Sequence, residues 1–153
     1  MALYLVQHGK SLPKDRDPDQ GLSEEGKAET EMIAQTAKDK GIIVSQIRHS
    51  VKTRARQTAE ILARALNPDQ GVQEIVGIKP MDDVAMVAAD LDPAENTMLV
   101  GHLPFMERMT ALLVTGSIDK PVFKFQNSGI VCLDQDPDTQ AWMILWSLLP
   151  KIG

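Results

Sequence analysis

The sequence predicts an α/β fold: a three-layer α/β/α sandwich around a mainly parallel sheet. Two observations carry this. Short apolar runs of strand length, such as Leu3 to Val6 and Thr97 to Val100, alternate with longer stretches patterned for helices. The alternation continues along the chain without an internal repeat, a low-complexity tract or a long linker, so residues 1–153 are read as one domain.

The elements follow in order. Leu3 to Val6 reads as a buried strand, and Pro13, Pro18 and Gly21 punctuate the polar segment after it as loop. Ser23 suits an N-cap, and Glu24 and Glu25 suit the positive end of the helix dipole. That helix presents Gly26, Thr30, Ile33 and Ala37 on one face and ends at Gly41. Ile42 to Ile47 is the second strand. Lys52 to Leu66 is the second helix, with Ala55, Thr58, Ala59, Leu62 and Leu66 as its apolar stripe and Asn67-Pro68 as its stop. A strand over Val72 to Ile78 and a short helix over Asp82 to Leu91 come next. Thr97 to Val100 then leads through Gly101-His102 into a helix with Pro104 in its first turn and Phe105, Met109, Leu112 and Leu113 inward. Three strands finish the chain: Val122 to Phe125, Gly129 to Leu133 and Ala141 to Trp146, the last with Trp142, Ile144 and Trp146 on one face.

Composition narrows the function. With 43% hydrophobic and 24% charged residues, the 153-residue chain has the balance of a soluble globular protein. A net charge of −5 and 4% aromatic residues disfavour nucleic-acid binding, which needs a basic face and stacking rings. A single cysteine excludes a disulfide framework and fits the cytoplasm, and no apolar run is long enough for a membrane-spanning helix. A monomer is expected.

In parallel sheets, ligands gather at the carboxyl ends of the strands. Gln7-His8-Gly9, His49-Ser50 and Gly101-His102 each follow a predicted strand, so all three histidines of the chain fall on that side. His8, before a glycine that allows close approach, can attack phosphorus, bind a metal or simply pack. His102 precedes a helix N-terminus, which favours an anion and disfavours a second positive charge; it can instead cap the helix. Arg54 borders the buried stripe and reaches the strand ends as a planar fork for phosphate oxygens, whereas Arg56 pairs with Glu60 on the surface. His49 is read as structural. Gly9-Lys10-Ser11 imitates a P-loop but lacks its first glycine, Asp15, Asp17 and Asp19 imitate a calcium loop but lack its glycine and bidentate Glu, and the scattered histidines show no metal-ligand spacing.

Four segments, taken together, resemble the histidine phosphatase superfamily, and within it the short SixA-type phosphohistidine phosphatases. Leu5-Val6-Gln7-His8-Gly9 resembles its Arg-His-Gly motif, and Gly21-Leu22-Ser23-Glu24-Glu25-Gly26 its Leu-Thr-x-x-Gly turn. Ser50-Val51-Lys52-Thr53-Arg54-Ala55-Arg56-Gln57-Thr58 resembles its Ser-x-x-x-Arg-x-x-Gln-Thr segment, and Val100-Gly101-His102-Leu103-Pro104 its second histidine motif.

The resemblance implies a phosphoglycerate mutase-like fold. It implies that His8 is a nucleophile forming a transient phosphohistidine, and that Arg54 and His102 hold the phosphoryl oxygens. It implies no metal and no cofactor, and a phosphohistidine on a signalling protein as substrate. Gln7, Gly9, Lys10 and Ser128 are expected to contact the substrate, with Asn127 beside them, and Asp82 or Asp83 to be the proton donor if there is one. Gln7 departs from the family pattern, since it can donate a hydrogen bond but carries no charge; Lys10, or Lys14 or Arg16 beyond it, is the expected replacement. Two alternatives stay open: a non-catalytic module that binds phosphohistidine, and a phosphatase for small phosphate esters.

Overall fold

A computed structural model describes residues 2–151. Six strands form one sheet in the order β3-β2-β4-β1-β5-β6. They are β1 (Leu3–Gln7), β2 (Gln46–His49), β3 (Val72–Glu74), β4 (Thr97–Gly101), β5 (Ile130–Gln135) and β6 (Trp142–Leu148). The first four run parallel, and β5 and β6 are antiparallel additions beyond β1. The helices are α1 (Glu24–Asp39), α2 (Thr53–Leu66), α3 (Val84–Ala89) and α4 (Phe105–Thr115).

Successive residues of a strand point to opposite faces, so the sheet carries two cores. Tyr4, Val6, Ile47, Met98 and Val100 meet Ile33 and Ala37 of α1 and Ala59 and Leu62 of α2. Leu3, Leu5, Leu99, Val131 and Leu133 meet Val84 of α3 and Phe105 and Met109 of α4. This is the predicted sandwich.

The helices begin where the local chemistry says. Ser23 caps α1, accepting from the Gly26 N–H at 3.0 Å. Gly26, Thr30, Ile33, Ala34 and Ala37 form its buried face. Asn67, in the left-handed region at φ 47°, ends α2.

Several expected boundaries move. The second strand starts at Gln46, because Ile42 and Ile43 spend polar groups closing α1 and contacting β1: the Ile42 N–H donates to the Ala37 carbonyl, and the Ile43 carbonyl accepts from the Tyr4 hydroxyl. The third strand keeps only Val72–Glu74 on an exposed sheet edge, and Ile78 turns into the α3–α4 core. The α3 helix is shorter than Asp82 to Leu91, since Asp83 is its N-cap and Asp90 its C-cap. Pro104 is the N-cap of α4, one place before its first turn. Val122 to Phe125 is not a strand. Both sides of β1 are already taken by β4 and β5, and this segment instead sends Phe125 into the core with Phe123 packed edge to face against it.

Trp142, Ile144 and Trp146 do not share a face. A bulge between β5 and β6 pairs Cys132 with Trp146 but Leu133 with Ile144, leaving Leu145 unpaired. Trp146 therefore joins the α1–α2 side, beside Tyr4, while Trp142 and Ile144 join the α3–α4 side.

One contact places the loop after β1. The Lys10 carbonyl accepts from the Ser23 N–H at 2.9 Å, at the start of α1, and a Cβ on Gly26 would stand 2.1 Å from that same oxygen. Gly26→Ala is therefore expected to lower stability by about 2–3 kcal/mol, as overpacking against backbone does. A denaturant midpoint equal to that of the parent chain would contradict this packing.

Candidate active site

The carboxyl ends of β1, β2 and β4 bring His8, Ser50 and His102 together, and the first turn of α2 adds Arg54. In-register pairing of Gln7 with Gly101 and of His49 with Val100 sets the strand ends side by side. The His8 N–H donates to the Gly101 carbonyl at 2.9 Å, and Asn127 Nδ2 donates to the His8 carbonyl at 2.9 Å.

Gly9 is wedged into the structure behind His8. Its N–H donates to Thr58 Oγ1 at 2.9 Å, and a Cβ there would lie 2.8 Å from Thr30 Oγ1 and 3.0 Å from Ser128 Oγ. Thr58 in turn donates to the Arg54 carbonyl, and Gln57 Oε1 accepts from the Leu22 N–H at 2.7 Å. The Gln-Thr pair of α2 thus ties the helix to both loops of the site.

The His8 ring has one tautomer available. Nδ1 lies 2.7 Å from the Gly9 carbonyl, which only accepts, so Nδ1 carries the proton and Nε2 keeps its lone pair. Arg54 Nε donates to that Nε2 at 3.3 Å. The His102 ring centre is 5.1 Å from that of His8, and its Nε2 is 2.5 Å from Ser50 Oγ. Burial, chiefly, lowers the His8 pKa to about 4 against the help of the Gly9 carbonyl, with Arg54 adding to the fall. Burial again leads for His102, with His8, Arg54 and Lys52 as further causes, and its pKa falls to about 3. Both rings are neutral near pH 7. The His102 imidazole bonds Ser50 rather than capping α4, although its carbonyl accepts from the Met106 N–H.

Several other expected residues have partners of their own. Lys10 Nζ is taken by Glu25 at 2.7 Å and by Glu29 at 3.5 Å, so it fastens the loop to α1. Lys14 and Arg16 are exposed. Ser128 is fully buried, bonded to Thr30 Oγ1 at 2.7 Å, and braces Gly9 from behind. Gln7 Oε1 is buried without a hydrogen-bond partner among the described residues. Asp82 accepts from the Lys79 N–H and Asp83 caps α3; both line a neighbouring groove of about 680 Å³ whose walls include none of His8, Arg54 and His102. His49 is buried with Nδ1 against the Ser50 carbonyl, and Arg56 pairs with Glu60 at 3.5 Å on the surface. Among the described residues no group of three or more His, Cys, Asp or Glu side chains is placed to hold a metal ion.

Two side chains acquire a place that spacing alone did not assign. Ser50 meets His102 across the sheet, and Lys52 is close enough for its charge to act on the His102 ring. For Lys52 the available signal was its position as the residue before α2, at the positive end of a helix that already delivers Arg54.

The sequence profile of the histidine phosphatase superfamily (branch 1) matches residues 3–82. The chain belongs to this superfamily. An uncharacterised protein of Picosynechococcus sp. (strain PCC 7002) is 36% identical over 87% of this chain and 84% of its own length. The phosphohistidine phosphatase SixA of Escherichia coli (strain K12) is 26% identical over 88% of this chain and 87% of its own. Among solved structures, the protein histidine phosphatase SixA complexed with tungstate superposes with a TM-score of 0.84 at 24% identity, covering 98% of this chain and 97% of that one. The fold is thus phosphoglycerate mutase-like, and the chain is a SixA homologue within a phosphatase superfamily. No helix among the described residues is long and apolar enough to cross a membrane.

The lowered His8 pKa has a measurable sign. In the unfolded chain the imidazole protonates near pH 6.5; in the fold it stays neutral until about pH 4. The stability tied to His8 is therefore full above about pH 6.5 and is lost as pH falls toward about 4. An NMR titration of the free protein is expected to show a neutral His8 ring at pH 5.5, and a midpoint near 6.5 would contradict its burial.

Proposed function

We propose that this histidine phosphatase homologue hydrolyses phosphohistidine on a phosphorylated signalling protein, through a phosphohistidine intermediate on His8 and without a metal. One observation carries the reading: His8 Nε2 is an unprotonated nitrogen whose lone pair meets the Arg54 guanidinium at a long 3.3 Å, with the ring of His102 beside it.

In the first step the His8 Nε2 lone pair forms a bond to phosphorus. The phosphorus–nitrogen bond of the substrate breaks, and the leaving imidazole takes its proton from water. In the second step a water oxygen attacks phosphorus, the bond to Nε2 breaks, and the water proton leaves with phosphate or solvent. Arg54 donates to phosphoryl oxygens and stabilises the charge, while the Gln7 amide donates without adding charge. Lys52 supplies the nearby positive charge that Lys10, engaged by two carboxylates, does not.

A protein substrate is supported by the groove beside Ser50. Its walls include Val51, Val76 and Met86, of which Val76 is 85% and Met86 73% exposed. Exposed apolar clusters of this kind suit contact with a protein surface better than with a small polar ester. A cytoplasmic location is consistent with this substrate class and with the buried free thiol of Cys132.

Turnover of a phosphohistidine protein, measured beside p-nitrophenyl phosphate and with EDTA, tests the proposal. Faster turnover of the phosphohistidine protein, unaffected by EDTA, is expected. Preference for the ester would favour a small-ester phosphatase, and saturable binding without turnover would favour a binding module. In the same assay Arg54→Ala should lose roughly 10²–10³-fold in kcat/KM, the scale for an anion-stabilising donor. Arg56→Ala should stay near the parent value, and comparable losses at the two positions would contradict the assignment of Arg54.

A further inference from the structure

Ser50, at the end of β2, is 1% exposed, and its hydroxyl has two neighbours: His102 Nε2 at 2.5 Å and the Lys52 backbone nitrogen at 3.4 Å. The direction of these bonds follows from counting protons. The Lys52 N–H can only donate, so Ser50 Oγ accepts there. If His102 Nε2 held the ring proton, Oγ would receive a second donor. Its own O–H would then lack an acceptor although Ser50 is buried, at a cost of roughly 1–3 kcal/mol.

The alternative leaves nothing on Ser50 unused. With the ring proton on Nδ1, Ser50 Oγ–H donates to the Nε2 lone pair, and the Lys52 N–H donates to Oγ. His102 is neutral near pH 7, so it holds one ring proton, and its placement matters. Nδ1 is buried and has no hydrogen-bond partner among the described residues. A buried N–H with no acceptor is the complement of a phosphoryl oxygen, which only accepts.

We infer that Ser50 is a positioning residue: it holds His102 in the Nδ1–H tautomer, so that Nδ1–H is the donor offered to a phosphoryl oxygen. The effect on catalysis rests on the phosphatase reading above, whereas the tautomer does not. Ser50 touches no reacting atom; it acts only through the ring.

The test uses the free protein labelled with ¹⁵N-histidine, with long-range ¹H–¹⁵N correlations read near pH 7. The parent chain is expected to show a protonated Nδ1 and an unprotonated Nε2 at His102. Ser50→Ala should release that preference and lower kcat/KM for the phosphohistidine protein about 10–100-fold, as the loss of an orienting hydrogen bond does at metal-bound histidines. Ser50→Thr, which keeps the hydroxyl, should restore both readouts. A protonated Nε2 in the parent chain overturns the inference, and needs no variant to fold. An unchanged tautomer with a rate within twofold in Ser50→Ala also overturns it. A parent chain with the stated tautomer but no turnover would instead refute the phosphatase reading and leave Ser50 as the residue that sets the ring.

Discussion

The short bond between His8 Nδ1 and the carbonyl of Gly9 decides what this site can do. It fixes the proton on one nitrogen and leaves the lone pair on the other, the arrangement that the proposed nucleophile needs before any substrate arrives. It also makes the site depend on the position of one peptide group. Gly9 holds that position through its N–H to Thr58 and through a fit against Thr30, Ser128 and Leu22 that leaves no room for a side chain. The start of α1 clamps the next carbonyl, that of Lys10, and α2 supplies Thr58 and Arg54 on one face. Both helices of one layer therefore serve the orientation of one imidazole.

Charge at the site is sparse. Where the family pattern has an arginine, Gln7 buries an amide oxygen that has no partner among the described residues, and the lysine that follows the motif belongs to Glu25 and Glu29. Arg54 and Lys52 are the positive groups that act on the His102 ring. Burial lowers the pKa of both imidazoles, so that each is neutral near pH 7.

Much of this was legible in the sequence because it is local. The Ser23 cap, the α1 and α2 stripes, and the order of motifs at strand ends depend on neighbours a few residues away, and the structure reproduces them. What escaped depends on partners far along the chain. Lys10 had no visible reason to prefer Glu25 and Glu29 over the pocket. Ser128 looked like a pocket residue until Thr30, on another element, claimed its hydroxyl. The bond from Ser50 to His102 joins two motifs that the sequence reading treated separately. The β6 error has a different origin: Ala141 to Trp146 is apolar at every position, so a bulge that changes the face leaves no trace in the pattern.

The central claim is that His8 Nε2 becomes covalently phosphorylated, and acid-free rapid quenching followed by mass spectrometry of the protein tests it most directly. Reaction with a phosphohistidine protein should give a phosphoryl group on His8, stable in alkali and lost in acid, and absent from His8→Asn. Steady turnover with no phosphoryl group on His8, or with the group on another residue, would contradict the account.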